Sequence, residues 1–220
     1  MQSVSFGRKI PVAECKVKDI KTGKFIPVKM YEYDCTEQSD IDEVANLPSN
    51  FYFYKTAVAR EMETKKKARE KYSIDTGISH YIMQTEDGNP LGIASVKNDE
   101  ENYGVKFIQT TQNLTHKYIG QTMLATIAKM ALNDNRKNFE IYFPTDDAMG
   151  FYTHKCGFKH GNSYRNLIMS PKDMKKFIFR TQLKTHAPIV DIRVWGFLNK
   201  CKLNTSQNFK LELKCTSSLR

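Results

Sequence analysis

The chain has 220 residues, of which 40% are hydrophobic and 26% are charged, a composition typical of a globular protein with one core and some additions. No apolar run approaches the roughly 20 residues of a membrane-spanning helix. The N-terminus lacks the apolar stretch of a secretory signal, so we expect a cytoplasmic protein. The five cysteines include no C-x-x-C pair and the five histidines show no metal-ligand spacing, so we expect neither a disulfide framework nor a metal.

The positive charge is concentrated near the C-terminus. Residues 171–220 contain 11 basic and 3 acidic residues, and they supply most of the formal net charge of +10. Such a surface attracts phosphates, nucleic acid or acidic protein through salt-sensitive electrostatics. A merely solvated basic face is the alternative interpretation.

Apolar periodicity and turn residues divide the chain into strands and helices. Apolar runs bounded by glycine or proline predict strands, and apolar residues repeating every three or four positions predict amphipathic helices. The predicted strands are 12–17, 25–33, 78–84, 91–96, 105–110, 139–143 and 164–169, and the predicted helices are one capped by Ser39 that ends near Pro48, then 51–72, 120–132, 145–155 and 171–184. Two further β-like runs, 189–198 and 209–215, predict an appended hairpin.

Gly120 follows a strand and a short loop and opens a predicted helix. Such a segment can present several backbone N–H groups and the positive end of the helix dipole to an anion. Taken alone, this feature is more typical of close helix packing than of phosphate binding.

Three motifs follow one another in the order and spacing of a known superfamily. They are Asp-Gly-Asn-Pro-Leu-Gly at 87–92, Tyr-Ile-Gly-Gln-Thr-Met-Leu at 118–124, and Ala-Met-Gly-Phe-Tyr-Thr-His-Lys-Cys-Gly-Phe at 148–158. They resemble the hairpin glycine, the Q/R-x-x-G-x-G/A loop and the A-x-x-x-(F/Y)Y-x-x-x-G-F helix of the GNAT acetyltransferases. The resemblance covers about residues 25–169. It implies an α/β (α+β) fold with a mixed, mostly antiparallel sheet flanked by helices, and transfer of an acetyl group from acetyl-CoA to a primary amine.

The resemblance also implies roles for individual residues. In GNAT proteins the loop amides hold the coenzyme A pyrophosphate, and the strand before the loop pairs with the pantetheine arm. The matching positions for cofactor binding are Ile108, Gln109, Thr110, Lys117, Tyr118, Ile119, Gly120, Gln121, Thr122 and Thr145. Tyr152 matches the tyrosine that acts as general acid toward the leaving thiolate, and its alternative role is that of a core residue with a satisfied hydroxyl.

Three positions depart from the family pattern. Thr115 stands where the family prefers arginine or glutamine, Tyr118 replaces the first loop glycine, and Thr145 replaces an asparagine before the last helix. We expect Tyr118 to keep a negative φ and still donate its amide, and Thr145 to keep one side-chain hydrogen bond. The departures also support an alternative function, a catalytically weak or inactive GNAT-like module that binds nucleic acid or a protein partner.

The residues leave the general base open. Glu101, His116 and Glu140 are candidates, and a water relay is another. His154 and Cys156 are two residues apart on a predicted helix, so their side chains point to different sides and do not form a nucleophile–base pair.

We divide the chain into an N-terminal strand extension (1–24), a GNAT domain (25–170) and a basic C-terminal extension (171–220) with a helix and a β-hairpin. The C-terminal extension can cover the core, shape the acceptor cleft, or form a homodimer through Val194 and Trp195. Its charge favours an anionic acceptor, or nucleic acid, over a polyamine.

Overall fold

The computed structural model describes residues 9–111, 115–161 and 166–193. The strands are β1 (Ile10–Asp19), β2 (Phe25–Tyr33), β3 (Ile78–Thr85), β4 (Pro90–Asn98), β5 (Asn102–Thr110), β6 (His116–Lys117), β7 (Asn138–Tyr142), β8 (Lys159–His160), β9 (Asn166–Met169) and β10 (Val190–Asp191). The helices are α1 (Gln38–Ala45), α2 (Tyr52–Tyr72), α3 (Ile119–Asn133), α4 (Asp146–Gly150), a π-helical segment (Phe151–Cys156) and α5 (Pro171–Thr185).

The strands form one sheet in the order β10-β1-β2-β3-β4-β5-β7-β9-β8, with β6 paired to β1. Neighbouring strands are antiparallel, as short hairpin connections require, except for β5 and β7. Those two are parallel because α3 crosses over between them. The predicted mixed, mostly antiparallel sheet flanked by helices is confirmed.

Helices cover both faces of the sheet, so the central strands are buried on both sides. On one face, α1 and α2 pack over a cluster that includes Phe51, Met62, Ile82 and Ile93. On the other face, α3 and α5 close the larger core. The apolar repeat of α3 is almost wholly buried there, which explains why its periodicity was so clear in the sequence.

The terminal elements share this larger core. Val12 and Val17 of β1 and Met174 and Phe177 of α5 are buried in the same cluster as α3. Ser170 caps α5 by accepting a hydrogen bond from the Asp173 N–H at 3.3 Å, as Ser-Pro at a helix start predicts. The division of the chain at residues 24 and 170 stays a prediction, and β1 and α5 pack as integral parts of the fold.

Some predicted details differ from the structure. Ser39 lies inside α1, whose N-cap is Glu37, because the Asp34 side chain accepts the Thr36 N–H at 2.9 Å and sets up a turn that starts the helix earlier. The two-residue strands β6 and β8 are too short to produce a periodic pattern. Of the predicted C-terminal hairpin, Val190–Asp191 forms β10, whereas residues 194–198 and the run 209–215 lie outside the described residues.

The described ranges contain neither a membrane-spanning helix nor a metal-ligand cluster. None of these helices combines the length and apolarity that spanning a bilayer requires. No three histidine, cysteine, aspartate or glutamate side chains in these ranges are grouped as metal ligands.

Candidate active site

Strands β5 and β7 separate partway along their length. Their pairing covers Asn102–Val105 and Asn138–Ile141, whereas β5 continues to Thr110 paired with β4. A β-bulge at Lys106 marks the point of separation, because Ser95 lies opposite Phe107 and Val96 opposite Val105. Bulges bend a strand and end local pairing. The edge of β5 from Lys106 to Thr110 is therefore open toward β7, and we call this gap the splay.

The predicted pantetheine-binding residues lie on the open part of β5. Ile108 packs against the α3 side of the sheet, whereas Gln109 points to the α2 side and donates from Nε2 to Asn50 O at 2.8 Å. Gln109 Oε1 and Asn50 Oδ1 are buried and have no donor in the part of the chain that is described. Buried amide oxygens without donors are uncommon, so these two atoms fit a ligand that brings N–H groups.

Helix α3 begins with uncovered backbone donors. The first hydrogen bond of the helix runs from the Thr122 N–H to Tyr118 O at 2.8 Å. The N–H groups of Ile119, Gly120 and Gln121 precede it, and they have no acceptor within the described ranges. Together with the helix dipole, three N–H groups in this arrangement can bind an anion. Thr122, also predicted to bind the cofactor, already uses its N–H within the helix, and Lys117 pairs with Lys18 in β6 and β1.

Tyr118 adopts the conformation of the glycine that it replaces. Its φ is +70° and its ψ is 7°, so the expectation of a negative φ is wrong. The chain must turn sharply from β6 into α3 at this residue, and the left-handed conformation provides that turn. This conformation costs a non-glycine residue roughly 1–2 kcal/mol, so Tyr118 holds the turn at the expense of local strain.

Gly120 and Gly92 lie where a side chain would collide with neighbours. A Cβ at Gly120 would lie 3.3 Å from Phe151 Cζ and 3.6 Å from Thr110 Cγ2, and a Cβ at Gly92 would lie 2.9 Å from Met123 Sδ. The open edge of β5 thus ends directly beside the start of α3. Both motif glycines thus lie in tight contact with a neighbouring side chain, and the lack of a side chain at Gly120 also leaves the N–H groups at the start of α3 uncovered.

Tyr152 lies in the π-helical segment that follows α4. It is 7% exposed, and its ring packs edge-on against the rings of Phe151 and Phe158 at centroid distances of 5.4 and 6.1 Å. Burial raises the pKa of its phenol, and the nearby Cys156 and Tyr54 add to this effect. The ring is a core residue, but its hydroxyl has no hydrogen-bond partner within the described ranges. π-helical turns are frequent at functional sites.

The other predicted site residues have less specific surroundings. Thr145 is the N-cap of α4 but makes no side-chain cap hydrogen bond, so the predicted replacement for the asparagine's bond is not formed. The Thr145 side chain is exposed. Water therefore competes with its hydroxyl for the backbone N–H groups that the hydroxyl would cap. Cys156 is fully buried and burial raises its pKa to about 12, whereas His154 is exposed. These two residues form no catalytic pair.

Among the three candidate bases, Glu140 lies nearest to the splay in strand register. It pairs with Gly104 of β5, just before the two strands separate. Burial raises the pKa of Glu140, and the charge of Asp99 adds to this rise. Glu101 lies at the opposite end of β5 in an ion pair with Lys137. His116 lies in β6 beside β1.

The sequence did not point to an aromatic pocket on the α2 face of the splay. It has a volume of about 310 Å³ and is lined by Tyr54, Lys97, Lys106, Phe107, Tyr142 and Phe143. The one sequence feature that could have indicated this pocket is Phe143-Pro144, where a large apolar residue directly follows a strand. Without the fold, that pair is indistinguishable from an ordinary strand end.

A buried polar cluster beneath the bulge was also missed. Glu61 of α2 accepts hydrogen bonds from Ser95 and Lys106, and its Oε2 lies 3.2 Å from His80 Nε2. His80 and Ser95 are neighbours on β3 and β4. The four residues come from four different elements, so their sequence spacing carries no signal. The cluster ties α2 to the bulge.

No family model and no curated protein matches the sequence. Solved structures do match in fold. A GNAT-family protein from Desulfovibrio desulfuricans superimposes with a TM-score of 0.50 at 14% identity, over 66% of this chain and 99% of that one. A GNAT acetyltransferase from Staphylococcus aureus Mu50 has a TM-score of 0.45 at 12% identity, over 66% and 99%. The PaiA N-acetyltransferase of Thermoplasma acidophilum, in complex with coenzyme A, has a TM-score of 0.45 at 19% identity, over 64% and 96%.

The first of these superpositions covers nearly the whole of the other protein. The β3–β4 hairpin, the loop before α3 and the helical segment that carries Tyr152 occur here in the order that the three sequence motifs predict. The chain therefore has the fold of the GNAT acetyltransferases.

Proposed function

We propose that this chain is an acetyl-CoA-dependent N-acetyltransferase that acts on a primary amine. One arrangement carries the proposal: the open edge of β5 ends at Thr110, beside the uncovered N–H groups of Ile119, Gly120 and Gln121. A ligand whose pyrophosphate binds at the start of α3 can extend along β5 and pair with its open backbone. Coenzyme A has this combination of a diphosphate and an amide-containing arm.

The residues present fit acetyl-CoA at two places. The donors of α3 suit the pyrophosphate, and the backbone of Ile108–Thr110, with the donor-free oxygens of Gln109 and Asn50, suits the amides of the arm. When bound, acetyl-CoA supplies an acetyl group activated as a thioester. The geometry of Tyr118 supports binding as well, since its φ lies where a loop glycine would be.

The chain's own residues can supply the proton transfers. A tyrosine phenol is protonated at neutral pH, and burial raises the pKa of Tyr152 further. A protonated phenol without a structural partner suits a general acid for the leaving thiolate. We propose Glu140 as the general base, acting directly or through water, since burial raises its pKa toward the range that suits a base. A backbone N–H on the open edge near Thr110 would polarise the acetyl carbonyl.

The alternative is a GNAT-like module without activity that binds nucleic acid or a protein partner. It draws on Thr115, Tyr118 and Thr145 and on the basic residues of the C-terminal extension, five of whose eleven lie outside the described ranges. A homodimer and an anionic acceptor likewise stay predictions. No observation in the described part of the chain favours this alternative over the enzyme.

Release of free thiol from acetyl-CoA in the presence of a panel of primary amines tests the proposal. We expect release that depends on both the protein and the amine, with an acetylated amine as product. Acetyl-CoA binding without transfer to any amine would favour the inactive module. Absence of both binding and transfer would overturn the proposed function.

A further inference from the structure

The aromatic pocket has walls from both sides of the splay. Tyr54 of α2 and Phe107 of β5 form one wall, with their ring centroids 5.6 Å apart. Tyr142 and Phe143, at the end of β7, form the other. Because β5 and β7 are the strands that separate, a molecule in this pocket lies at the mouth of the splay. Aromatic walls of this kind bind flat apolar groups by stacking and by edge-to-face contact.

Phe143 is held in an unfavourable conformation. Its φ is +49°, a region that bulky side chains rarely occupy, and Pro144 follows it, which disfavours helical conformations of the preceding residue. Its ring is 73% exposed, so burial in the core does not offset this strain. Strained residues that the core does not explain are concentrated at ligand sites. The position of the Phe143 ring thus fits contact with a ligand.

Two lysines line the pocket, and they differ in whether an acidic side chain already pairs with them. Lys106 is held by Glu61 and is neutralised by it. Lys97 is exposed, and no acid in the described ranges forms an ion pair with it. The positive charge of Lys97 also acts on Glu140. It lowers the pKa of that carboxyl slightly, whereas burial raises the same pKa by more. Lys97 is therefore the cation at this pocket that can bind an anionic ligand group.

We propose that this pocket determines acceptor specificity, and that the acceptor is a small primary amine that carries an aromatic ring and a carboxylate or phosphate. The ring lies between the Phe107 and Phe143 walls, and the anion binds Lys97. This inference rests on the proposed function, since it assigns the acceptor of the same reaction. A volume of about 310 Å³ is at the lower end of ligand pockets and suits a molecule of one or two rings.

Four amines separate the contributions of ring and charge. They are para-aminomethylbenzoate, para-aminomethylphenyl phosphate, benzylamine and aminohexanoate. The first two carry ring and anion, benzylamine carries the ring alone, and aminohexanoate carries a carboxylate without a ring. We expect kcat/KM for the better of the first two to exceed that of the last two by at least about 10-fold. Whichever of the two is better identifies the anion.

Paired variants test the residues. Phe143→Ala should lower kcat/KM for the ring-bearing amines by about 10-fold and leave aminohexanoate unchanged. Lys97→Gln should lower kcat/KM more for the anionic amines than for benzylamine, because the loss of its charge near Glu140 acts on all four amines alike. Phe179→Ala removes an equally exposed phenylalanine on α5, where the side chain is 61% exposed, and Lys67→Gln removes an exposed lysine of α2. Both controls should behave as wild type.

The rise in melting temperature with acetyl-CoA is measured on the same samples. It distinguishes failure of the acceptor assignment from failure of the proposed function. If acetyl-CoA binds and the four amines react equally, or if only an aliphatic diamine such as putrescine reacts, the acceptor assignment is overturned while the proposed function stands. If the controls lose as much activity as Phe143→Ala and Lys97→Gln, the pocket assignment is overturned. If acetyl-CoA does not bind and no amine reacts, both are overturned.

Discussion

The ring of Phe151 lies directly against Gly120, so that a Cβ on Gly120 would be 3.3 Å from Phe151 Cζ. The glycine therefore has two roles: it allows the π-helical segment that begins at Phe151 to pack closely against α3, and it leaves the N–H groups at the start of α3 uncovered. A substitution at this residue affects both, and a second substitution at Phe151 separates them.

Gly120→Val should abolish acetyl-CoA binding, because a branched side chain blocks the approach of a pyrophosphate to the α3 donors. It should also lower stability through the collision with Phe151. The double variant Gly120→Val/Phe151→Ala relieves the collision, so it should lose less stability than the sum of the two single variants, while binding stays absent. Recovery of binding in the double variant would show that the glycine serves packing alone, and Phe151→Ala by itself is the control.

Tyr118→Gly should raise the free energy of unfolding by about 0.5–1 kcal/mol. Release of the left-handed strain, roughly 1–2 kcal/mol, exceeds the roughly 0.5–1 kcal/mol that glycine loses through the entropy of the unfolded chain. Acetyl-CoA affinity should be retained, because glycine adopts the same φ. Urea unfolding and an acetyl-CoA titration measure the two quantities. Lower stability together with lost binding would mean that the Tyr118 side chain, rather than its backbone, shapes the loop.

Tyr152→Phe should lower turnover by roughly 10²–10⁴-fold, the range for loss of a general acid, with little change in melting temperature. The hydroxyl has no partner in the described structure, so its removal leaves no hydrogen bond broken. Tyr103→Phe is the matched control: the Tyr103 hydroxyl donates to Asp134, so this variant should lose about 1 kcal/mol of stability and keep its turnover. Full activity of Tyr152→Phe would mean that water or the substrate, and not Tyr152, donates the proton.

Glu61 makes the stability of the fold dependent on pH. Burial by itself raises the pKa of this carboxyl, but hydrogen bonds from His80, Lys106 and Ser95 lower it to about 2. A lowered carboxyl pKa stabilises the folded state above the usual pKa of the group, and this contribution is lost as the pH falls toward 2. Wild type should therefore lose about 2 kcal/mol from this residue between pH 6 and pH 3.

Urea unfolding of Glu61→Gln at the same two pH values isolates this contribution. The stability difference between wild type and Glu61→Gln should shrink by about 2 kcal/mol as the pH falls. Glu63→Gln, two residues further along α2 and exposed, should show a constant difference. A pH-independent difference for Glu61→Gln would mean that the cluster does not lower the Glu61 pKa.

The strands and helices with strong periodicity were predictable from the sequence, and α3 is the clearest case because nearly every apolar residue in it is buried. The motif around Gly120 was also predictable, since its donors come from consecutive residues. The sign of φ at Tyr118 was not, because it depends on the turn between β6 and α3, and β6 forms only by pairing with β1. The Glu61 cluster and the aromatic pocket were missed for a related reason: their members come from separate elements that only the fold brings together.

The melting temperature of the full chain as a function of acetyl-CoA concentration tests the central claim most directly. If the α3 donors and the open edge of β5 bind acetyl-CoA, the melting temperature should rise with concentration and follow single-site linkage, reaching a shift of several degrees well above the dissociation constant. The Gly120→Val/Phe151→Ala variant should show no shift in the same titration. An unchanged melting temperature of the wild-type chain at millimolar acetyl-CoA would contradict the account.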